Sequence, residues 1–307
     1  MTAFGDFEPL CKQTPSYPWC NLFYRQLQSH APDVLTNVSA NPRTAPVGIN
    51  PECSIPPIAV DGSLANIANI IACGLSVFVI VFLIWRSGRR TAAVGRIELQ
   101  IFLVLYLLTL PLQILTTGAF LQQGSTALVA LTAIHAGLVA AAFWALLANA
   151  IVSTQVVDDG TLSSLIPFTF FTLAFFAATT YISLDVGFTF TSAFGPSNPP
   201  QNLHSIPLFV LTTIWPGAAT LLYFCFMLYI VMGVLNGAHP MWYILAAVLF
   251  VLSQLDYFLL NKVICNGVPS HRIDGSFVAT ILETAAVVVL YLAWKDITDE
   301  ESADIIF

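Results

Sequence analysis

Three ionisable residues stand inside long apolar stretches of this sequence: His135, Asp256 and Glu283. An ionisable side chain at the centre of a membrane span costs roughly 2.5–3.5 kcal/mol, so each needs a physical reason for its position. Acids and histidines inside a membrane can relay protons, bind a ligand or hold helices together. We predict one buried polar cluster that joins the three helices carrying them. The alternative is that each side chain separately faces water.

Catalytic chemistry finds little support in the pattern around these residues. A membrane hydrolase of the zinc type needs several ligands that converge on one metal, but the histidines are dispersed, and no HxxxH or HExxH occurs. There is also no nucleophile elbow and no phosphate-binding loop. We therefore expect no enzyme and no cofactor or metal. The five histidines are His30, His135, His204, His239 and His271.

The amino-acid composition indicates whether this chain lies in water or in a membrane. Of its 307 residues, 57% are hydrophobic and only 9% are charged, whereas about 25% of the residues of a soluble domain are charged. The chain is therefore expected to lie in a lipid bilayer. Its ten basic residues are few and scattered, so nucleic-acid binding is not expected. The first twenty residues lack the basic and apolar regions of a cleavable signal peptide.

About seven stretches reach the ~20 apolar residues that a membrane-spanning helix needs. Arginines at 86, 89, 90 and 96 follow the first stretch, which places that loop in the cytosol by the positive-inside rule. We predict an all-α seven-transmembrane-helix bundle (residues 63–294) with a lumenal, irregular Cys/Pro-rich tail (1–62) and an acidic cytosolic tail (295–307). The predicted spans are 64–85, 97–119, a run of roughly 27 uncharged residues from 126, 164–184, 205–235, 241–260 and 275–294.

The third of these stretches carries small residues four positions apart: Ala133, Gly137, Ala141 and Ala145. They form a ribbon along one helix face, and small residues allow another helix backbone to approach closely in lipid. The ribbon predicts a central helix with neighbours on several sides. Trp144 interrupts the small residues near the end of this ribbon. In the fifth stretch, a proline at 216 removes a backbone donor and predicts a kink.

Four cysteines fall on the predicted lumenal side, where disulfides form: Cys11, Cys20 and Cys53 in the tail and Cys265 between the last two spans. Four cysteines allow three pairings, of which we favour Cys11–Cys20 and Cys53–Cys265. The second bridge would tie the tail to the bundle. The tail also contains a glycosylation sequon at Asn37, which would be used if the tail is lumenal.

Seven spans with an external N-terminus also describe light-driven pumps and receptors. A pump needs a lysine in the last span to hold retinal, and residues 275–294 contain none. A G-protein-coupled receptor would typically carry an acid-arginine-aromatic triplet after span three and NPxxY in span seven. The sequence has Ser153-Thr154-Gln155 and Tyr291-Leu292-Ala293 instead. A seven-span receptor or sensor that binds a ligand in its lumenal half remains the alternative function.

The chain resembles the fungal chitin synthase export chaperone family along its whole length. The most specific segment runs from Trp144 to Thr161, and the order and spacing of several weaker segments support it. These are Phe4-Gly5-Asp6-Phe7 with Cys11 and Pro18-Trp19-Cys20, then Gly95-Arg96-Ile97-Glu98, then Ile264-Cys265-Asn266-Gly267, and His271 with Ile273-Asp274-Gly275-Ser276-Phe277. Trp19 is a departure in detail, since a small or aliphatic residue would be unsurprising there.

The resemblance implies a chaperone of the endoplasmic reticulum membrane that helps a chitin synthase to fold and to leave for the cell surface, in support of cell-wall synthesis. The synthase would be a multi-span client, and the small-residue ribbon with Trp144 would serve helix packing or the client interface. In the acidic tail, Asp299, Glu300, Glu301, Ile306 and Phe307 could recruit an export-vesicle coat; the alternative is a solvated, disordered tail. Escort could continue with the client to the plasma membrane.

Overall fold

The computed structural model describes residues 4–53, 55, 65–90, 95–155, 159–233, 240–267 and 273–304, with side chains up to 298. Within these ranges the chain forms helices, turns and irregular segments, together with a single β-bridge between Asp6 and His204. Seven helices are long and apolar enough to cross a membrane, as predicted. We number two short helices α1 (Glu8–Gln13) and α2 (Cys20–His30). The seven spans are α3 (Ile67–Gly88), α4 (Arg96–Thr117), α5 (Thr126–Ser153), α6 (Leu162–Phe188), α7 (Ile206–Gly233), α8 (Met241–Gly267) and α9 (Gly275–Asp304).

Helix α5 lies at the centre of one half of the bundle, where it packs against α4, α6 and α7. Helix α9 packs against α3 and α8 in the other half, and α3 packs on α4. The prediction that the third span is a central helix is therefore confirmed. Ser125 is the N-cap residue of α5. Its side chain accepts a hydrogen bond from the backbone N–H of Leu128 at 3.3 Å, which fixes where the helix begins.

Two spans contain a wider π turn. In α7 the turn covers Val210–Ile214, directly before Pro216. A proline ring would clash with the carbonyl group four residues earlier, and a wider turn relieves that clash. The structure thus shows a π turn just before the proline at which we predicted a kink. A second π turn, Asp256–Leu260, interrupts α8.

The N-terminal segment is folded, in contrast to the irregular tail that we predicted. Its helix α2 places Leu22, Phe23, Tyr24 and Leu27 in a buried cluster with Phe7, and all five are fully buried. The pattern was obscured because prolines and polar residues interrupt the apolar positions. We call residues 4–53 the cap. The cap packs on the ends of α5 and α6.

The C-terminal segment also differs from the prediction. Helix α9 continues to Asp304, beyond the predicted end of the span at 294. The sequence from Lys295 to Asp304 contains no glycine or proline, so nothing in the covalent chain ends the helix where the apolar residues end. The first ten residues of the predicted tail are therefore helical.

Candidate functional site

Two disulfides hold the cap. Cys11 and Cys20 are bonded within it, with Cα atoms 5.7 Å apart, and Cys53 is bonded to Cys265 at the end of α8, with Cα atoms 6.2 Å apart. These are the two pairs favoured from the sequence. An ion pair between Glu52 and Lys262 joins the same two segments. The end of the cap is thus fixed to the transmembrane bundle.

Buried polar contacts fix the underside of the cap. The Ser16 hydroxyl donates to the carboxylate of Asp274, which precedes α9, and the Tyr257 hydroxyl of α8 donates to the Ser16 carbonyl at 3.0 Å. Burial raises the pKa of the Asp274 carboxyl above its ordinary value, and hydrogen bonds from Ser16 and Ser276 oppose that shift. One contact network therefore connects the cap to α8 and α9.

His135 of α5 is held between the cap and α4. Its side chain is only 4% exposed, its Nδ1 atom lies 3.3 Å from the Thr116 hydroxyl, and its ring centroid is 5.2 Å from that of Trp19. Trp19, the departure from the family pattern, is therefore the cap residue that covers the histidine. This contact fixes the cap over the middle of the bundle.

Glu283 and Asp256 have different surroundings. Glu283 of α9 accepts a hydrogen bond from Gln254 Nε2 of α8 at 2.9 Å. Asp256 is buried at the start of the π turn, and its Oδ2 atom has no hydrogen-bond partner among the described residues. In the part of the chain that the structure describes, no hydrogen bond or ion pair joins any two of His135, Asp256 and Glu283.

The single polar cluster predicted from the sequence is therefore not formed by direct contacts. Spacing along a helix gives the depth of a residue but not the direction in which its side chain points. His135 points to the cap and α4, whereas Glu283 points to α8. Two of the three, His135 and Glu283, nevertheless line one cavity.

A cavity of about 280 Å³ lies beneath the cap. Helices α4, α5, α7, α8 and α9 surround it, and Tyr17, Pro18 and Trp19 of the cap contribute to its lining. His135 and Glu283 both face it, and Asp256 does not. Most of the lining is apolar, with hydroxyl and amide groups among it. The hydroxyl and amide groups are those of Tyr17, Tyr106, Thr109, Gln113, Thr117, Thr212, Thr213, Thr220, Gln254, Tyr257, Ser276 and Thr280.

The small-residue ribbon is used inside the protein. Ala133, Ala141 and Ala145 are fully buried, and a methyl group on Gly137 would lie 2.8 Å from the backbone carbonyl oxygen of Phe176 in α6. These residues therefore serve packing between the protein's own helices, which leaves the ribbon covered rather than open to a client.

Trp144, the other residue proposed for packing or for a client, is also engaged within the chain. It is half-buried, its indole N–H donates to the Phe168 carbonyl at 3.2 Å, and its ring stacks on Phe175 with centroids 5.8 Å apart. Both partners belong to α6. The residue therefore supports the contact between α5 and α6.

Sequence reasoning missed a buried clasp at the other end of the bundle. Glu98 of α4 is fully buried, and its Oε1 atom accepts hydrogen bonds from Gly160 N at 3.2 Å and from Ser164 Oγ at 2.8 Å. Asp159 accepts one from Gly95 N at 2.9 Å. An acid at the start of a predicted span resembled an ordinary interfacial residue, although the family segments around 95–98 and 159–161 both pointed to it.

The remaining candidates are dispersed. Asn37 is exposed, on the short 3-10 helix Asn37–Ala40. Asp299, Glu300 and Glu301 lie in the last turns of α9, and Ile306, Phe307, His239 and His271 lie outside the described residues. His30 and His204 contact backbone carbonyl oxygens of Gln26 and Phe4. Among the described residues, no group of three histidine, cysteine or acidic side chains could hold a metal ion.

Comparison with known proteins gives a consistent result. Residues 3–305 match the family model described as chitin synthase export chaperone. Relatives named chitin synthase export chaperone include those of Gibberella zeae (29% identical over 98% of this chain and 84% of the relative) and Chaetomium globosum (29%, 97% and 84%). The relative of Coccidioides immitis is 28% identical over 97% of this chain and 84% of its own. No solved structure matches the chain.

Proposed function

The chain belongs to the chitin synthase export chaperone family, and from this membership we propose that it assists a chitin synthase to fold in, and leave, the endoplasmic reticulum membrane. The observation that carries the proposal is the match over residues 3–305, which includes the cap and all seven spans. The role is that of a chaperone rather than an enzyme. The family match supports this function and not the receptor or sensor left open by the sequence.

The same proposal includes an orientation with the cap in the lumen. Both disulfides and the exposed Asn37 sequon lie at the cap end of the bundle. Arg86 and Arg89 lie at the other end of α3, where Arg89 stacks over Trp85 at 3.9 Å. Oxidised cysteines favour the lumen and clustered arginines favour the cytosol.

We also propose two further roles, in export of the client, for the cytosolic end of α9. The acidic residues Asp299, Glu300 and Glu301, with Ile306 and Phe307, would recruit an export-vesicle coat, and the chaperone would accompany its client towards the cell surface. The support for this part of the proposal is the succession of three acidic residues in the sequence at this end of α9. Deleting residues 299–307 is expected to slow client export while client folding in the endoplasmic reticulum stays normal.

The test of the main proposal is removal of the protein from its own cell, followed by imaging of a tagged chitin synthase. We expect the synthase to stay in the endoplasmic reticulum while an unrelated membrane cargo reaches the surface. Restoring the wild-type chain should restore export. Normal arrival of every chitin synthase at the surface in the deleted cell would contradict the proposed function.

A further inference from the structure

The cavity beneath the cap opens sideways into the membrane between α7 and α8. Helix α7 packs mainly on α5, helix α8 packs mainly on α9, and few contacts join α7 to α8. Gly217 of α7 lines the cavity and is exposed, and a methyl group added to it would meet no atom within 4 Å. The gap between the two helices is thus a mouth at the level of the hydrocarbon.

A groove on the outer face of α8 continues from this mouth. It is formed by Phe250, Val251, Gln254, Leu255, Phe258 and Leu259. Three of them, Phe250, Gln254 and Phe258, also line the cavity. The groove and the cavity thus share a wall on α8, both are lined mostly by apolar atoms, and we call the two together the recess.

Glu283 supplies the acidic group at the inner end of this recess. Its partner is the neutral amide of Gln254, which stands at the boundary between groove and cavity. In the described part of the chain, no lysine, arginine or histidine lies within ion-pair distance of Glu283. An acidic side chain in a membrane is costly, and a basic group in the recess would stabilise Glu283 more than the neutral amide of Gln254 does.

The depth of Glu283 in the membrane and the way into the recess limit which molecules can occupy it. Glu283 is the ninth residue of α9, so it lies about 12 Å below the start of that helix and close to the midplane of a ~30 Å hydrocarbon core. A phospholipid headgroup lies well above this depth. Tyr17 and Trp19 lie over the cavity from the cap side, so a group that enters through the mouth must come from within the bilayer.

We propose that the recess between α7 and α8 binds a transmembrane helix of the client, and that a lysine or arginine on this helix reaches Glu283. The inference rests on the proposed chaperone function and adds its contact site. The client helix would lie in the groove of α8, its apolar face on Val251 and Leu255. Its basic side chain would pass Gln254 and leave no unpaired charge in the membrane.

The first experiment places a photo-crosslinking amino acid at Val251 in cells that carry a tagged chitin synthase. Val81 on α3 is the matched control, because both are valines facing lipid, with exposed fractions of 54% and 48%. We expect the synthase to be crosslinked from position 251 and not from 81. Crosslinking to lipid alone from both positions would overturn the inference.

The second experiment tests the charge. Purified protein in lipid nanodiscs is mixed with a fluorescent single-span leucine-rich peptide that carries one central lysine, or leucine at the same position. We expect the lysine peptide to bind tighter by a factor of about 5–20, the range of interhelical polar contacts in membranes. Glu283→Gln should remove this preference, and Glu283→Asp should keep most of it.

The outcomes separate the inference from the function on which it rests. Equal binding of the two peptides to the wild-type protein would refute the site, and that comparison needs no variant to fold. Formation of the Cys53–Cys265 bond reports that Glu283→Gln is folded. In one outcome the synthase stays in the endoplasmic reticulum of the deleted cell, but crosslinking and peptide binding both fail. The chaperone function then stands and the contact site is wrong.

Discussion

Replacing Gly137 by alanine should force α5 and α6 apart. The new methyl carbon would lie 2.1 Å from the Thr180 hydroxyl oxygen and 2.8 Å from the Phe176 carbonyl oxygen. The hydroxyl can rotate away, but the carbonyl belongs to the backbone of α6. Because ordinary contact begins near 3.4 Å, the helices must separate by about 0.6 Å locally.

Overpacking of this kind costs roughly 1–3 kcal/mol. Alanine also gains about 1 kcal/mol of helix propensity over glycine, which would hide part of the cost. Gly74 on α3 provides the control, since a methyl group there meets no atom within 4 Å. Both substitutions gain the same propensity, and the difference between the two variants isolates the contact between α5 and α6.

The assay is thermal denaturation of the two purified variants in the same detergent with the disulfides intact. At about 2–4 °C per kcal/mol for a chain of this size, Gly137→Ala should melt several degrees below Gly74→Ala. Client export should fall with it. Equal melting temperatures would refute the reasoning, because they would mean that the small-residue ribbon does not set the distance between these helices.

Three further outcomes are expected. Cys53→Ser and Cys265→Ser should each cost about 2–5 kcal/mol of stability, and the double variant should cost no more than either, since one bond is lost; melting under non-reducing conditions measures this. If the cap is lumenal, Asn37→Gln should remove one glycan, which is seen as faster migration on a gel. If glycosidase treatment leaves the mobility of the wild-type protein unchanged, this would argue against use of the Asn37 sequon. Asp274 has a raised pKa, so its contribution to stability is present at low pH and lost as pH rises through that pKa. Asp274→Asn should therefore flatten the decline in melting temperature as the pH rises above the ordinary carboxyl pKa of about 4, and an equal slope in both proteins would contradict this.

The spans could be predicted from the sequence because length and hydropathy are properties of the chain alone. The cap could not, because prolines and polar residues interrupt its apolar positions and because hydrogen bonds to residues far along the chain help to hold it. Phe7 donates its backbone N–H to the Leu203 carbonyl at 2.7 Å, and Asn21 donates to the Thr116 carbonyl at 3.0 Å. Such contacts exist only once the cap has met α4 and the segment between α6 and α7. Local periodicity carries no trace of them.

The candidate site shows the same division. Sequence reasoning identified His135 and Glu283 as costly residues that need partners, and both do line the cavity. Their partners, Trp19 and Gln254, were beyond its reach. A helix fixes the spacing of its side chains but not its own rotation against its neighbours, which packing decides. Glu98 was missed for the same reason, as its bonds to Gly160 and Ser164 require α4 and α6 to be adjacent.

Rotation and packing also explain why the recess stays open. The indole N–H of Trp215 donates to the Ala140 carbonyl of α5 at 3.1 Å, and its ring stacks on Phe175 of α6 with centroids 4.3 Å apart. These contacts draw α7 towards α5 and away from α8. Gly217, two residues after Trp215, has no side chain to fill the gap. The small residues of α5 let α6 and α7 approach this helix closely, and α7 therefore stays on the α5 side of the gap. In the proposed site, this leaves the groove of α8 open to the client helix.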